Sequence, residues 1–222
     1  MKRIFVVVLA AVSLLATLLV APPVAAQDAS SSAFAEAQAR GATYHVEFTN
    51  LTEGQYLTPP NFAAHTSSVR VFERGAPASE AVQGVAENGN VPGLAEALQL
   101  AVDDTGLGVS GVGADAPVAP GETVQFEFTT VANELSIVAM LICTNDGFAG
   151  LDSRRLPRSH GHTARYWLRG YDAGTEINTE AREDLVPAPF CGEGDGSGES
   201  NPELAENGEI GRHRGIQGVG DL

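Results

Sequence analysis

The sequence predicts a mainly β protein, an antiparallel β-sandwich of about eight strands carrying two short helices. Three observations lead there. Short runs of alternating apolar and polar residues recur along the chain, and Gly and Pro punctuate the junctions between them. No strand–helix–strand rhythm appears of the kind that a parallel sheet requires.

Taken in order, Tyr44, Val46 and Phe48 alternate with His45, Glu47 and Thr49, the period-two pattern of a half-buried strand. Asn50–Gly54 supplies turn chemistry, and Pro59-Pro60 imposes an extended loop ahead of a second short strand over Ser68–Phe72. Ala78, Ala81, Val82, Val85 and Ala86 then share a helical face, stopped by Asn88-Gly89-Asn90. Leu94, Ala97, Leu98 and Ala101 repeat the spacing, with Pro92 where a first helical turn tolerates it. Both helices are short and alanine-rich, which suits capping a sheet better than building a bundle. Val124, Phe126 and Phe128 alternate as a strand, and Leu135–Ile142 is apolar on both faces, as in a central strand covered on each side. Thr163–Arg169 alternates again, with Tyr166 and Leu168 opposite Arg165 and Trp167.

The ends read differently. Lys2 and Arg3, an apolar run from Ile4 to Val20 and the small residues Val24-Ala25-Ala26 form a secretory signal over residues 1–26. That run is short for a membrane span, and no second candidate follows. Residues 27–42 are a flexible spacer, residues 43–190 the sandwich domain, and residues 191–222 a Gly- and acid-rich segment that is partly docked. Removing residues 1–26 takes away Lys2, the only lysine, and Arg3, so the formal charge deepens from −15 to −17. Such acidity excludes a surface that tracks polyphosphate, which needs clustered cations, and makes a cation the natural partner.

The densest polar groups are Thr144–Asp152, directly after the apolar strand, and Tyr171–Asn178. At one end of a sandwich these two segments can lie side by side and converge three or four carboxylates with backbone carbonyls. Ca²⁺ takes about 6–8 such oxygens. Gly147, Gly150 and Gly174 would let the backbone turn tightly there. Asp and Asn in the same segments also serve as ordinary turn and cap residues, and no EF-hand order is present.

These segments resemble the spondin domain family of F-spondin and mindin type, found in secreted animal matrix proteins and in short bacterial secreted proteins, the bacterial members most closely. The resemblance rests on Tyr44–Thr52, Pro60–Thr66, Val71–Glu80, Thr144–Asp152, Tyr171–Asn178 and Gly215–Leu222. It implies an eight-stranded, C2-like sandwich with Ca²⁺ bound by loops at one end. The ligands it implies are Asp146, Asp172 and Glu176, with Asp152 and a backbone oxygen near Ala173 added. Animal members usually carry Asp where this chain has Glu176.

Cys143 and Cys191 are the two cysteines, and an even count in a secreted chain favours a disulfide, with two separate thiols as the alternative. His160-Gly161-His162 has a metal-compatible spacing but no third ligand, so solvated turn histidines are expected. His65 is expected to pack or hydrogen-bond. Neither a Gly-x-Ser-x-Gly elbow nor His-Glu-x-x-His occurs. The expectation is a secreted Ca²⁺-binding module with no enzymatic activity. It would act in adhesion or recognition on an extracellular or cell-surface protein or glycan, without a transmembrane span. The rival expectations are a passive envelope protein and a hydrolase with an unfamiliar site.

Overall fold

The structure is a computed structural model that describes residues 41–159, 161–185, 190–191 and 200–222. The expected signal segment 1–26, nearly all of the expected spacer 27–42, His160 and residues 186–189 and 192–199 lie outside the described residues.

Among the described residues, eight strands and two α-helices follow one another as β1 (Ala42–Thr49), β2 (Asn61–His65), α1 (Glu80–Asn88), α2 (Val91–Thr105), β3 (Val109–Val112), β4 (Thr123–Thr130), β5 (Glu134–Met140), β6 (Gly147–Arg155), β7 (Arg169–Asp172) and β8 (Gly211–Arg212). They form a six-stranded sheet in the order β3-β2-β5-β6-β7-β8 and a two-stranded sheet β1-β4. Every ladder is antiparallel.

The large sheet is covered on both faces. On one, Phe62, Ala64, Leu135, Ile137, Ala139, Ala149 and Leu151 pack beneath Phe48 and Phe128 of the β1-β4 sheet, with Val46, Val124 and Phe126 at the margin. Phe62 stacks between Phe126 and Phe128, with centroids 4.8 and 5.1 Å away. On the other face Ala63, Val138 and Phe148 meet Val82, Val85, Leu94, Leu98 and Val102 of the helices. Residues 62, 64 against 63, and 137, 139 against 138, therefore keep the period of two. Because both destinations are apolar, the alternation is invisible in composition.

Two expected strands are displaced. Ser68–Phe72 is irregular, and the strand in this region is instead Asn61–His65, whose five residues are all buried. Thr163–Leu168 keeps the predicted facing, with Tyr166 and Leu168 packed on the first core, but makes no ladder, and β7 starts only at Arg169. The helices fall where their signals put them. Ser79 caps α1 by accepting from the Val82 amide, Asn90 caps α2 by accepting from the Gly93 amide, and Gly89 and Gly106 close them in left-handed conformation. Cys143 and Cys191 form a disulfide with Cα atoms 5.3 Å apart.

The chain end is built into the fold. Ile210 is buried with the second core, and its backbone pairs with Gly75 and Ala76. Beyond β8, the Glu180 carboxylate accepts from the amides of Gln217 and Val219, and its carbonyl accepts from Leu222. Those amides, Gln217 first, hold the Glu180 carboxyl below its usual range. Arg182 secures Asp221 through its own amide and its Nε. Gly220 passes so close to the Glu180 carbonyl that a Cβ there would collide with it.

Two outcomes follow from this packing. Phe148 is fully buried against Phe72 and Tyr171, so Phe148→Ala should cost about 3–5 kcal/mol in urea unfolding. Glu180→Ala leaves the tail amides without their acceptor, so trypsin should cut after Arg212 and Arg214 about tenfold faster than in wild type while the core stays intact. An unchanged cleavage rate would show that Glu180 does not hold the tail.

Candidate metal centre

The site follows from strand register. In the β6–β7 ladder Gly147 stands opposite Asp172, and the Ala173 amide continues the pairing by donating to the Asp146 carbonyl at 3.1 Å. Two carboxylates from distant parts of the sequence thus become neighbours at one end of the sheet. The connection from β5 to β6 is held by Thr144, whose hydroxyl donates to the Leu141 carbonyl and accepts from the Gly147 amide.

After Asp172 the chain turns sharply over Asp146. Gly174 has φ of +71°, and a Cβ there would lie 2.7 Å from the Glu209 carbonyl oxygen, so glycine is required on both counts. The turn is fastened from outside, since the Gly174 and Thr175 carbonyls accept from the amides of Gly208 and Glu206. It aims the Thr175 and Glu176 amides at one oxygen of Asp146: Oδ2 accepts them at 2.8 and 3.1 Å. The other oxygen, Oδ1, is buried and has no partner.

Asp146 is fully buried. Burial and the charge of Asp172 outweigh the two amides and push its carboxyl from the ordinary 3.8 to about 6. Asp172 is only half-buried and accepts from the Gly174 amide at 2.9 Å and from Asn178 Nδ2 at 2.7 Å. His213 completes the neighbourhood. Burial lowers its pKa, against the opposing pull of Asp172 and Glu180. Its Nδ1 accepts from the Gly215 amide.

The sequence-predicted ligands do not all meet here. Asp146, Asp172 and the buried Ala173 are brought together. Glu176 contributes its amide, while its carboxylate turns away to accept from Ser200 Oγ at 2.8 Å and the Asn201 amide at 2.9 Å. Burial raises the pKa of Glu176. Asp152 is elsewhere, because Gly147–Leu151 is strand and not loop. Six strand residues separate Asp146 and Asp152 by about 20 Å. Asp152 instead pairs with Arg70 at 2.9 Å and accepts from the Val71 amide, tying the 66–72 segment to the sheet. Gly147 and Gly150 accordingly sit in β6, not in a turn. No group of three or more His, Cys, Asp or Glu side chains arranged for a metal occurs among the described residues. Thr175, Asn178 and His213 were not anticipated as site residues. The first two lie in the acidic segment already singled out, whereas His213 had no local signal.

Two histidine expectations are separable. His65 is fully buried, with Nε2 2.8 Å from Ser136 Oγ and Nδ1 2.8 Å from the Thr66 carbonyl oxygen, as a packing and hydrogen-bonding residue should be. The His160–His162 pair includes a residue outside the described set.

In chelator, the unfolded chain ionises Asp146 near 3.8 and the folded chain only near 6. The folded state therefore binds the extra proton between these values, and Asp146's contribution to stability falls as pH rises through that window, by roughly 3 kcal/mol. Asp146→Asn is neutral throughout and can still accept the two amides. Its unfolding free energy relative to wild type should rise from pH 4 to about pH 6 and level off above it. A difference that is flat in pH would mean that Asp146 titrates as an ordinary carboxylate.

The sequence model of the family described as Spondin_N matches residues 43–182, which spans β1 to β7 and both acidic segments. No curated protein matches the chain. The match covers more than half of the sequence and includes the register that joins Asp146 to Asp172, and the chain belongs to the spondin N-terminal domain family.

Proposed function

We propose that the chain is an extracellular, non-enzymatic recognition module, and that Asp146 and Asp172 with backbone oxygens near Ala173 hold one Ca²⁺. The observation carrying the metal is a fully buried carboxylate oxygen, Asp146 Oδ1, that has no donor and belongs to a group already repelled by Asp172. A divalent cation would reverse that balance, since it favours both carboxylates in their charged form. It would supply charge neutralisation and fix the turn after β7. The chain's own residues do the rest. The Thr175 and Glu176 amides orient Asp146, Asn178 orients Asp172, and Gly174 lets the backbone close over both.

The extracellular placement is supported by the family and by the Cys143–Cys191 disulfide, which persists in oxidising compartments. No helix among the described residues is long and apolar enough to cross a membrane. Binding is favoured over catalysis because His65 and Ser136, a nucleophile-like pair, are both buried at hydrogen-bond distance within the sheet. Neither can reach a substrate.

Calcium-linked melting tests this reading. At a Ca²⁺ concentration about a hundredfold above Kd, the melting temperature should rise by roughly 5–10 °C over that in chelator. Asp172→Ala should abolish the rise, and Asp152→Ala should retain it while lowering both temperatures. An unchanged melting temperature in wild type would sink the metal assignment.

A further inference from the structure

Between Asp152 and Asp172 the chain has no acid and carries Arg154, Arg155, Arg158, Arg165 and Arg169, five of the eleven arginines beyond residue 26. In a protein of net charge −15 this is a strongly segregated basic stretch. All five side chains are exposed, as is His162. None of the five guanidinium groups enters an ion pair or side-chain hydrogen bond among the described residues.

The stretch is also ordered. Tyr166 donates its hydroxyl to the Arg155 carbonyl, Tyr44 donates to the Pro157 carbonyl at 3.0 Å, and Tyr166 and Leu168 pack on the core under β1-β4. With those two turned inward, Arg165, Trp167 and Arg169 all face out. Alternate residues of an extended chain stand about 6–7 Å apart, and the alternation of exposure leaves Trp167 as the outward residue between Arg165 and Arg169. Trp167 is 68% exposed, although the chain has only one tryptophan and a large apolar core that could have held it.

We propose that this face binds a linear anionic polysaccharide bearing uronate or sulfate groups. Guanidinium forks pair bidentately with planar or tetrahedral oxyanions and remain charged at any working pH. The flat indole between them offers an apolar face to the C–H side of a sugar ring, which a bare inorganic anion would not use. The chain's overall negative charge does not forbid this. At physiological salt, fields decay over about 8 Å, less than the length of the strip, so the local arginines govern the encounter. Arg155 lies nine residues, about 30 Å, along β6 from Asp146, whereas Arg169, at the other end of the stretch and three residues before Asp172, pairs with Gly150.

This deepens the reading as a recognition module and rests on it, but not on the metal. The test uses the full mature chain in chelator and again in Ca²⁺. Heparin supplies sulfate with uronate, polygalacturonate supplies uronate alone, and dextran is the neutral control. Wild type should bind at least one charged polymer, not dextran, with the same affinity in both buffers. Arg165→Gln/Arg169→Gln and Trp167→Ala should each weaken binding at least tenfold without changing the melting temperature. Arg165→Lys/Arg169→Lys should lose several-fold, because charge remains while the fork is gone. Failure to bind either polymer, or equal binding by the glutamine variant, would overturn the proposal. So would tighter binding to an oligothymidylate or to phosphatidylglycerol vesicles. Loss of binding in chelator alone would transfer the interaction to the acidic end and equally overturn it.

Discussion

The structure depends on the register in which β6 lies between β5 and β7. With Met140 opposite Phe148 and Gly147 opposite Asp172, the sheet has one permitted arrangement of its buried side chains. A one-residue slip would send Phe148 from the helix-covered face into the face packed by β1-β4 and reverse every neighbour. The same register fixes the chemistry. It carries Asp146 to the end of β6 and Asp172 to the end of β7, so their proximity is a by-product of core packing and needs no dedicated contact between them. The hydrophobic core positions the acidic end.

What lies at that end is an imbalance held in place by backbone. Two amides satisfy one oxygen of Asp146, burial and Asp172 oppose its charge, and the second oxygen has no donor. A structural carboxylate would ordinarily have both oxygens satisfied, because an unpartnered buried polar atom costs of order 1–3 kcal/mol. Here the cost is retained by a turn that is itself clamped by Glu206 and Gly208. The chain end enforces this geometry from one side and the Glu180 cradle anchors that chain end from the other. Retained strain of this kind is characteristic of sites and uncommon in scaffolding.

Legibility in the sequence followed how many environments each element sees. β1 and β4 are half-exposed, so their alternation is written in composition, and the helices announce themselves through Ser79, Asn90, Pro92 and the closing glycines. β2 and β6 are apolar or small on both faces, and this hides them. Asn61–His65 read as loop after two prolines, and Gly147–Leu151 read as a glycine-rich turn. That second misreading also explains Asp152. Six residues in a loop can return a carboxylate to its starting point, whereas six in a strand carry it away toward Arg70. Asp146 and Asp172 could be grouped from sequence because each sits in a polar segment beside a strand, Asp146 just before β6 and Asp172 at the end of β7. The outward turn of Glu176 could not, since Ser200 and Asn201 receive it from more than twenty residues downstream.

The placement of charge follows the same logic. Most acids of this chain are spread over a surface where they serve solubility, while five of the eleven arginines beyond residue 26 are gathered into a single acid-free stretch between Asp152 and Asp172. Nothing in the packing requires that gathering, because only Tyr166 and Leu168 of the 165–169 run face the core. Residues that stability leaves free are those on which function can act without disturbing the fold. The acidic end has the opposite character, since its carboxylates are fixed by register and their geometry cannot drift while the core is intact. The domain therefore joins a rigid, core-determined acidic end to an open basic strip whose side chains can change with little cost to folding. Under the proposed reading as a recognition module, this separation lets the ligand-facing side chains change while the architecture is kept.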